Sequence, residues 1–237
     1  MVIAFSILHS ISFGAEGYRV IEPQKWEEER SFSYKEHFLG LSAGVSFPSV
    51  EVKSDDDYYY QQNIQLNSRG TIYRRVEYTV DVFYNRVLSR SWSKKLGKNK
   101  SFKGNLFLGY GFPEIKPRWK FVLRGGLYAD DLNLVRLSHG RKNIIAPQVS
   151  PLWLFEQQDG SIFHMSFSYI HLDRGQLFSK SDEGHEYGVR FRVGEAIPIS
   201  KIFGFLYNLD LEMFRVGNKE LNSTTLKNIS FNVGLAI

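Results

Sequence analysis

The amino-acid sequence predicts an all-β chain, a single closed antiparallel barrel of about ten strands, with eight or twelve as the neighbouring possibilities. Three observations carry this expectation. Apolar side chains recur at every second position through most of residues 34–237, the period of strands whose two faces differ. Aromatic residues make up 15% of the 237 positions and hydrophobic residues 43%, too apolar for a disordered chain. No stretch beyond the first 15 residues approaches the ~20 uninterrupted apolar residues of a membrane-crossing helix.

Composition also removes several chemistries. The absence of cysteine excludes disulfides, thiolate-bound zinc, iron–sulfur clusters and cysteine nucleophiles. Lys and Arg exceed Asp and Glu by 30 to 25, but the excess is spread thinly, so no nucleic-acid partner is expected. No phosphate-binding glycine loop, His-rich metal motif or nucleophile elbow occurs, so neither metal nor cofactor is expected.

Residues 1–15, MVIAFSILHSISFGA, form a short apolar stretch closing on Ser12, Gly14 and Ala15 before charged chain. They read as a secretory signal peptide, although no Lys or Arg precedes the apolar region. Residues 16–33 are mostly charged and read as an N-terminal extension.

The barrel then occupies 34–237. Within 34–47, Leu39, Leu41, Ala43, Val45 and Phe47 oppose Gly40, Ser42, Gly44 and Ser46. In 71–88, Val76, Tyr78, Val80, Val82 and Tyr84 oppose Arg75, Glu77, Thr79, Asp81 and Asn85. The segments 101–112 and 119–129 repeat the alternation, with Lys103 and Arg124 on their polar faces. So do 163–169, 187–193, 203–213 and 228–237. Weaker candidates at 132–138 and 144–156 complete ten strands, the second made irregular by Pro147 and Pro151. On this count the connections after odd strands are the longer set, as in barrels with short turns at one end. The exception, 89–100, is long for its end and marks where a strand pair would be miscounted.

A soluble barrel turns its apolar face inward, a membrane barrel outward. Here the opposite face repeatedly mixes Gly with Arg, Lys, Asp, Glu and Asn, which suits a narrow polar lumen. The apolar face is about ten residues tall, enough to match the hydrocarbon thickness. The expectation is therefore a transmembrane barrel, with a secreted ligand-binding barrel as the rival.

The C-terminus, Asn228-Ile-Ser-Phe-Asn-Val-Gly-Leu-Ala-Ile237, resembles the terminal strand of bacterial outer-membrane proteins, alternating apolar residues to its last position. The usual last residue there is aromatic; here it is Ile237. The resemblance implies location in the outer membrane and recognition of the last strand by the barrel-assembly machinery. It names no specific family.

Near mid-height the lumen face carries Asp81, Arg124, Arg190 and Asp210, with Glu77, Lys120, Arg192 and Glu212 about a layer away. A charge in a low-dielectric lumen is costly unless paired, so these eight are expected to form a salt-bridge network that plugs the barrel. His164 and Ser166 share one face of a strand, a base beside a hydroxyl. This is similar to the His-x-Ser of outer-membrane lipid A 3-O-deacylases, which the resemblance implies also use a carboxylate about twelve residues onward. Position 178 is Phe178, and the nearest acids are Asp173, Asp182 and Glu183.

Asp55, Asp56 and Asp57 lack the alternate spacing of a calcium loop and read as a solvated tip. Tyr58, Tyr59 and Tyr60 suit an exposed loop at a membrane interface. Trp119 and Trp153, near strand starts, suit an aromatic girdle, and Trp92 lies among Lys94, Lys95, Lys98 and Lys100, placed to meet acidic partners or lipopolysaccharide phosphates. The expected function is an integral outer-membrane barrel, porin-like in architecture, with a structural or binding role beside membrane lipid. A lipid-modifying hydrolase and a narrow solute channel are the alternatives.

Overall fold

A computed structural model describes residues 37–52, 55–88, 100–112, 118–130, 144–171, 187–200, 203–216 and 224–237. The expected signal peptide and N-terminal extension lie outside the described residues, as do the candidate strand 132–138 and the Trp92 segment.

Eleven strands follow one another around the barrel: β1 (His37–Val52), β2 (Asp55–Tyr58), β3 (Gln61–Tyr73), β4 (Val76–Val87), β5 (Lys100–Gly111) and β6 (Trp119–Asp130). They continue with β7 (Ile144–Glu156), β8 (Ile162–His171), β9 (Tyr187–Pro198), β10 (Gly204–Val216) and β11 (Thr224–Ala236). Each long strand pairs antiparallel with the next, and β11 returns to β1 over Gly40↔Ala236 to Val52↔Thr224. Closure leaves the ten long strands no open edge at mid-height among the described residues, as a hydrocarbon environment demands. The short β2 pairs with the outer end of β1 and is continued along the same neighbour by β3. The wall therefore has ten staves.

Two details of the sequence expectation change. Residues 48–70 were expected as a connection, but most of them form β2 and β3. The signal in 61–69 is amide-rich, Gln61, Asn63, Gln65, Asn67 and Arg69 facing inward, with few apolar partners outward. The supposed strand 71–88 is instead the end of β3, a two-residue turn at Arg74 and Arg75, and β4. With β3 inserted, the long interval 88–99 moves to the barrel end that also holds 131–143, 172–186 and 217–223. The other end holds the short intervals 74–75, 112–118, 157–161 and 199–203, together with the start of β1 and the C-terminus. The exception disappears.

Pro147 and Pro151 are accommodated inside a continuous β7. Proline cannot donate to a ladder, and pairing of β7 with β8 skips Ser150 and Pro151 while pairing with β6 runs unbroken.

Alternation sorts the side chains. Leu39, Leu41, Val45 and Phe47 on β1 and Ile229, Phe231, Val233 and Leu235 on β11 are exposed on the outside, as are large apolar residues on the other long strands except β9, whose outward Val189, Phe191 and Val193 are half-buried. Trp119 packs at a tilt against Phe155 and Phe121 against Trp153 at the short-turn end, with ring centroids 4.7 and 5.4 Å apart. Trp153 sits near the end of β7, not its start, which is what brings it level with Trp119. At the opposite end Phe47 meets Tyr60 and Tyr84 meets Phe102. Such paired aromatic belts mark the two interfaces of a bilayer. Strands of 10–16 residues tilted ~45° span a hydrocarbon core of ~25–30 Å. An even stave number, antiparallel order, apolar outside and polar inside define the outer-membrane type of barrel. The chain is an outer-membrane β-barrel, in place of the soluble rival.

Tyr59 departs from the exposed loop expected for it: it is buried, its backbone N–H donating to the Pro48 carbonyl at 3.1 Å. Tyr60 is exposed. The side chains of Asp55, Asp56, Asp57 and Tyr58 lie outside the description.

Candidate functional site

The lumen is layered. Near the short-turn end Val122, Leu152, Leu154, Ile162, Ala196, Leu206 and Ala236 form an apolar cluster with Phe38 packed on it. Toward the other end Tyr128, Ala146 and Ile170 pack with Phe214. Charged residues occupy the space between.

This charged layer follows from strand register. Arg192 lies opposite Asp210 and Arg190 opposite Glu212 in the β9–β10 ladder, so alternation aims all four inward as neighbours. Asp210 Oδ1 accepts from Arg190 Nη2 at 2.8 Å and from Arg192 Nε at 2.7 Å. Arg190 Nε also lies 3.2 Å from Glu212 Oε1. Across the lumen, Arg192 Nη1 is 3.0 Å from Asp81 Oδ2, and Asn67 donates to Asp81 Oδ1 at 2.6 Å. Lys103 pairs with Glu212. Buried ions need this density of partners, because desolvation otherwise exceeds the Coulombic gain.

Glu77 and Lys120 form a separate pair linking β4 to β6. They reach one another over Gly111 of the intervening β5, where a Cβ would stand 3.1 Å from Glu77 Oε1. Gly109 does the same for Arg124, whose Cγ would be 2.7 Å from a Cβ there. Gly109 and Gly111 thus make room for long side chains to cross β5.

Of the eight expected network members, seven are ion-paired. Arg124 is not: Lys103 takes the place anticipated for it. Arg124 Nη2 donates to Ser150 Oγ at 2.7 Å, Nη1 lies 3.5 Å from Thr79 Oγ1, and its guanidinium sits 4.5 Å above the Phe107 ring. Sequence reasoning also passed over Phe83, an inward aromatic whose ring has Arg190, Lys103 and Arg192 at 4.8, 5.3 and 5.5 Å. Its signal was legible as the apolar residue that breaks the polar face of β4. Glu195, buried on the outward parity of β9 and accepting from Tyr207 Oη and Ser161 Oγ, carried no such signal.

Between the charged layer and the apolar cluster lies a cavity of about 70 Å³. Arg69, Arg124, Arg192 and Asp81 line one side and Leu152, Leu154, Ile162 and Ala196 the other. His164 and Ser166 belong to its wall. His164 faces Asn208 across Gly194 rather than turning along β8 to Ser166. Neighbours i and i+2 on a strand are ~6.5 Å apart, beyond hydrogen-bond reach of Cα-level spacing alone. Phe178, Asp173, Asp182 and Glu183 lie outside the described residues. Among the described residues no cluster of three His, Asp or Glu gathers to hold a metal.

No family model and no curated protein matches the sequence. Solved structures of similar shape are small barrels. The attachment invasion locus protein Ail of Yersinia pestis, in complex with the heparin analogue sucrose octasulfate, is 8% identical over 85% of this chain and 99% of its own, with a TM-score of 0.30. The outer membrane protein OprG of Pseudomonas aeruginosa is 10% identical over 86% and 96%, TM-score 0.35. Neisserial surface protein A is 10% identical over 84% and 96%, TM-score 0.33.

Proposed function

We propose that this outer-membrane barrel is closed to solutes by its own side chains and serves a structural or binding role. The observation that carries the reading is the pair of ion contacts crossing the lumen, Arg192 to Asp81 and Lys103 to Glu212, sandwiched between two apolar layers. A ten-stave barrel is narrow, and long side chains meeting at its axis leave a solute no continuous polar path. Its partners are outer-membrane lipid around the apolar belt, lipopolysaccharide phosphates near the Trp92 lysines, and the assembly machinery at β11.

A channel with the same wall would need this layer to part. Lipid hydrolysis would need an acyl ester to leave the bilayer and enter the lumen, where His164 and Ser166 lie. Planar bilayers containing the purified chain test the reading. Silence is expected from the wild type, and steps of conductance from Asp210→Ala, which takes from Arg190 and Arg192 the carboxylate they share. Stepwise conductance from the wild type would overturn closure.

A further inference from the structure

We infer that the lumen cavity is a binding site for a short-chain monocarboxylate, its carboxylate on Arg124 and its alkyl end on Leu152, Leu154 and Ile162. The inference deepens the closed-barrel reading and rests on it, since an open lumen would hydrate Arg124 and remove the need for a counter-ion.

The first support is an uncompensated cation. Arg124 is 6% exposed, and no carboxylate pairs with it among the described residues. Its contacts are two hydroxyls and an aromatic face, and its Nε has no hydrogen-bond partner. Buried charges are paired in folded proteins because an isolated one loses its solvation without return. The surrounding acids are already engaged: Asp81 and Asp210 with Arg192, Asp210 and Glu212 with Arg190, Glu212 with Lys103. A guanidinium with a spare N–H is the group suited to a carboxylate oxygen.

The second support is the shape and polarity of the space. Arg192, whose Nη2 also lacks a partner, lines the cavity beside Arg124 and offers a second donor. The facing wall is aliphatic and belongs to the cluster that closes the short-turn end. An inorganic anion would leave that wall unmatched; a neutral alkane would leave Arg124 unmatched. At about 70 Å³ the cavity is roughly half the ~150 Å³ that accepts benzene, so the guest must be smaller than benzene. Propionate is smaller and has both ends.

The test uses the full chain purified in detergent, titrated with sodium propionate by calorimetry, against propionamide and sodium chloride at matched ionic strength. Propionate is expected to bind once per chain, with neither control doing so. Arg124→Gln should weaken binding by about tenfold or more, the loss of a charged hydrogen bond. Should Arg124→Gln fail to fold, Leu152→Phe, which fills the aliphatic side and leaves Arg124 in place, should abolish binding in a barrel that stays heat-modifiable on gels. Binding of propionamide or chloride as tight as propionate, or propionate binding unchanged in Leu152→Phe, overturns the site. Conductance of the same preparation separates the two readings: no binding in a silent barrel removes the site alone, and no binding in a conducting barrel removes closure with it.

Discussion

Arg192 on β9 and Asp81 on β4 stand five staves apart in the ten-stave ring, on opposite walls, yet their side chains meet at 3.0 Å. Lys103 on β5 and Glu212 on β10 span the same number of staves. The two pairs act as braces across the diameter, so the lumen charges tie opposite walls together. Asp210 anchors the arrangement because it accepts from both Arg190 and Arg192.

Asp210→Asn should therefore destabilise more than Asp81→Asn. The first takes a carboxylate from two buried guanidinium groups at once, leaving Arg192 only Asp81 and Arg190 only Glu212; the second takes one from Arg192 alone, which keeps Asp210. Breaking a buried pair by removing one partner costs about 3–5 kcal/mol, and Asp210→Asn belongs at the upper end. Urea unfolding in lipid vesicles measures both. Equal losses would show that the braces, not Asp210, set the stability.

Phe83 lies beneath the cations of that layer, buried, with three of them within 5.5 Å of its ring centroid. Phe83→Leu keeps an apolar side chain of similar bulk and removes the ring's negative face. Each desolvated cation–π contact is worth up to about 2 kcal/mol, so a total loss of about 2–4 kcal/mol is expected with part of it shared. A change under about 1 kcal/mol in the same unfolding assay would reduce Phe83 to filler.

Much of this was legible beforehand for a physical reason. A wall between lipid and a polar lumen enforces period two, so Val76 to Tyr84 or Phe203 to Met213 announce themselves. β3 was hidden because its inward face is a run of amides and its outward face is only partly apolar. The charges at mid-height were legible by parity, but which charge meets which depends on the stave count. One missed stave moves β4 relative to β9 around the ring, so the Asp81–Arg192 brace could not be read from spacing. Lys103 displaced Arg124 as a partner for the same reason: reach across the lumen, not sequence distance, decides.

The outward face makes an independent prediction. Phe231 on β11 points out at mid-height, paired in register with Val45 and Leu209. Leu235 points out near the short-turn end, paired with Leu41 and Phe205. Phe231→Arg should cost about 2–4 kcal/mol and Leu235→Arg about 0–1 kcal/mol, because a lipid-facing cation is penalised by depth. Vesicle-based unfolding reads the difference. Equal penalties would place the bilayer at a different height on the barrel.

The short turns carry local strain that substitution should expose in both directions. Arg118 has φ of 78° in the turn before β6, and Gly160 has φ of 84° in the turn between β7 and β8. A Cβ in the left-handed region meets the following carbonyl, which costs about 1–2 kcal/mol, while glycine adopts it freely. What the turns need from these positions is backbone: the Arg118 carbonyl accepts from Glu156 N–H at 2.9 Å, and Gly160 N–H donates to the Gln157 carbonyl at 3.1 Å. Arg118→Gly keeps its bond and removes the clash, so it should stabilise the barrel, less the roughly 0.5–1 kcal/mol by which glycine's freedom favours the unfolded chain. Gly160→Ala should destabilise it by about 1 kcal/mol. Opposite shifts in the unfolding midpoint are the expected result. Shifts of the same sign would mean that the Arg118 side chain contributes more through its contacts than its backbone costs.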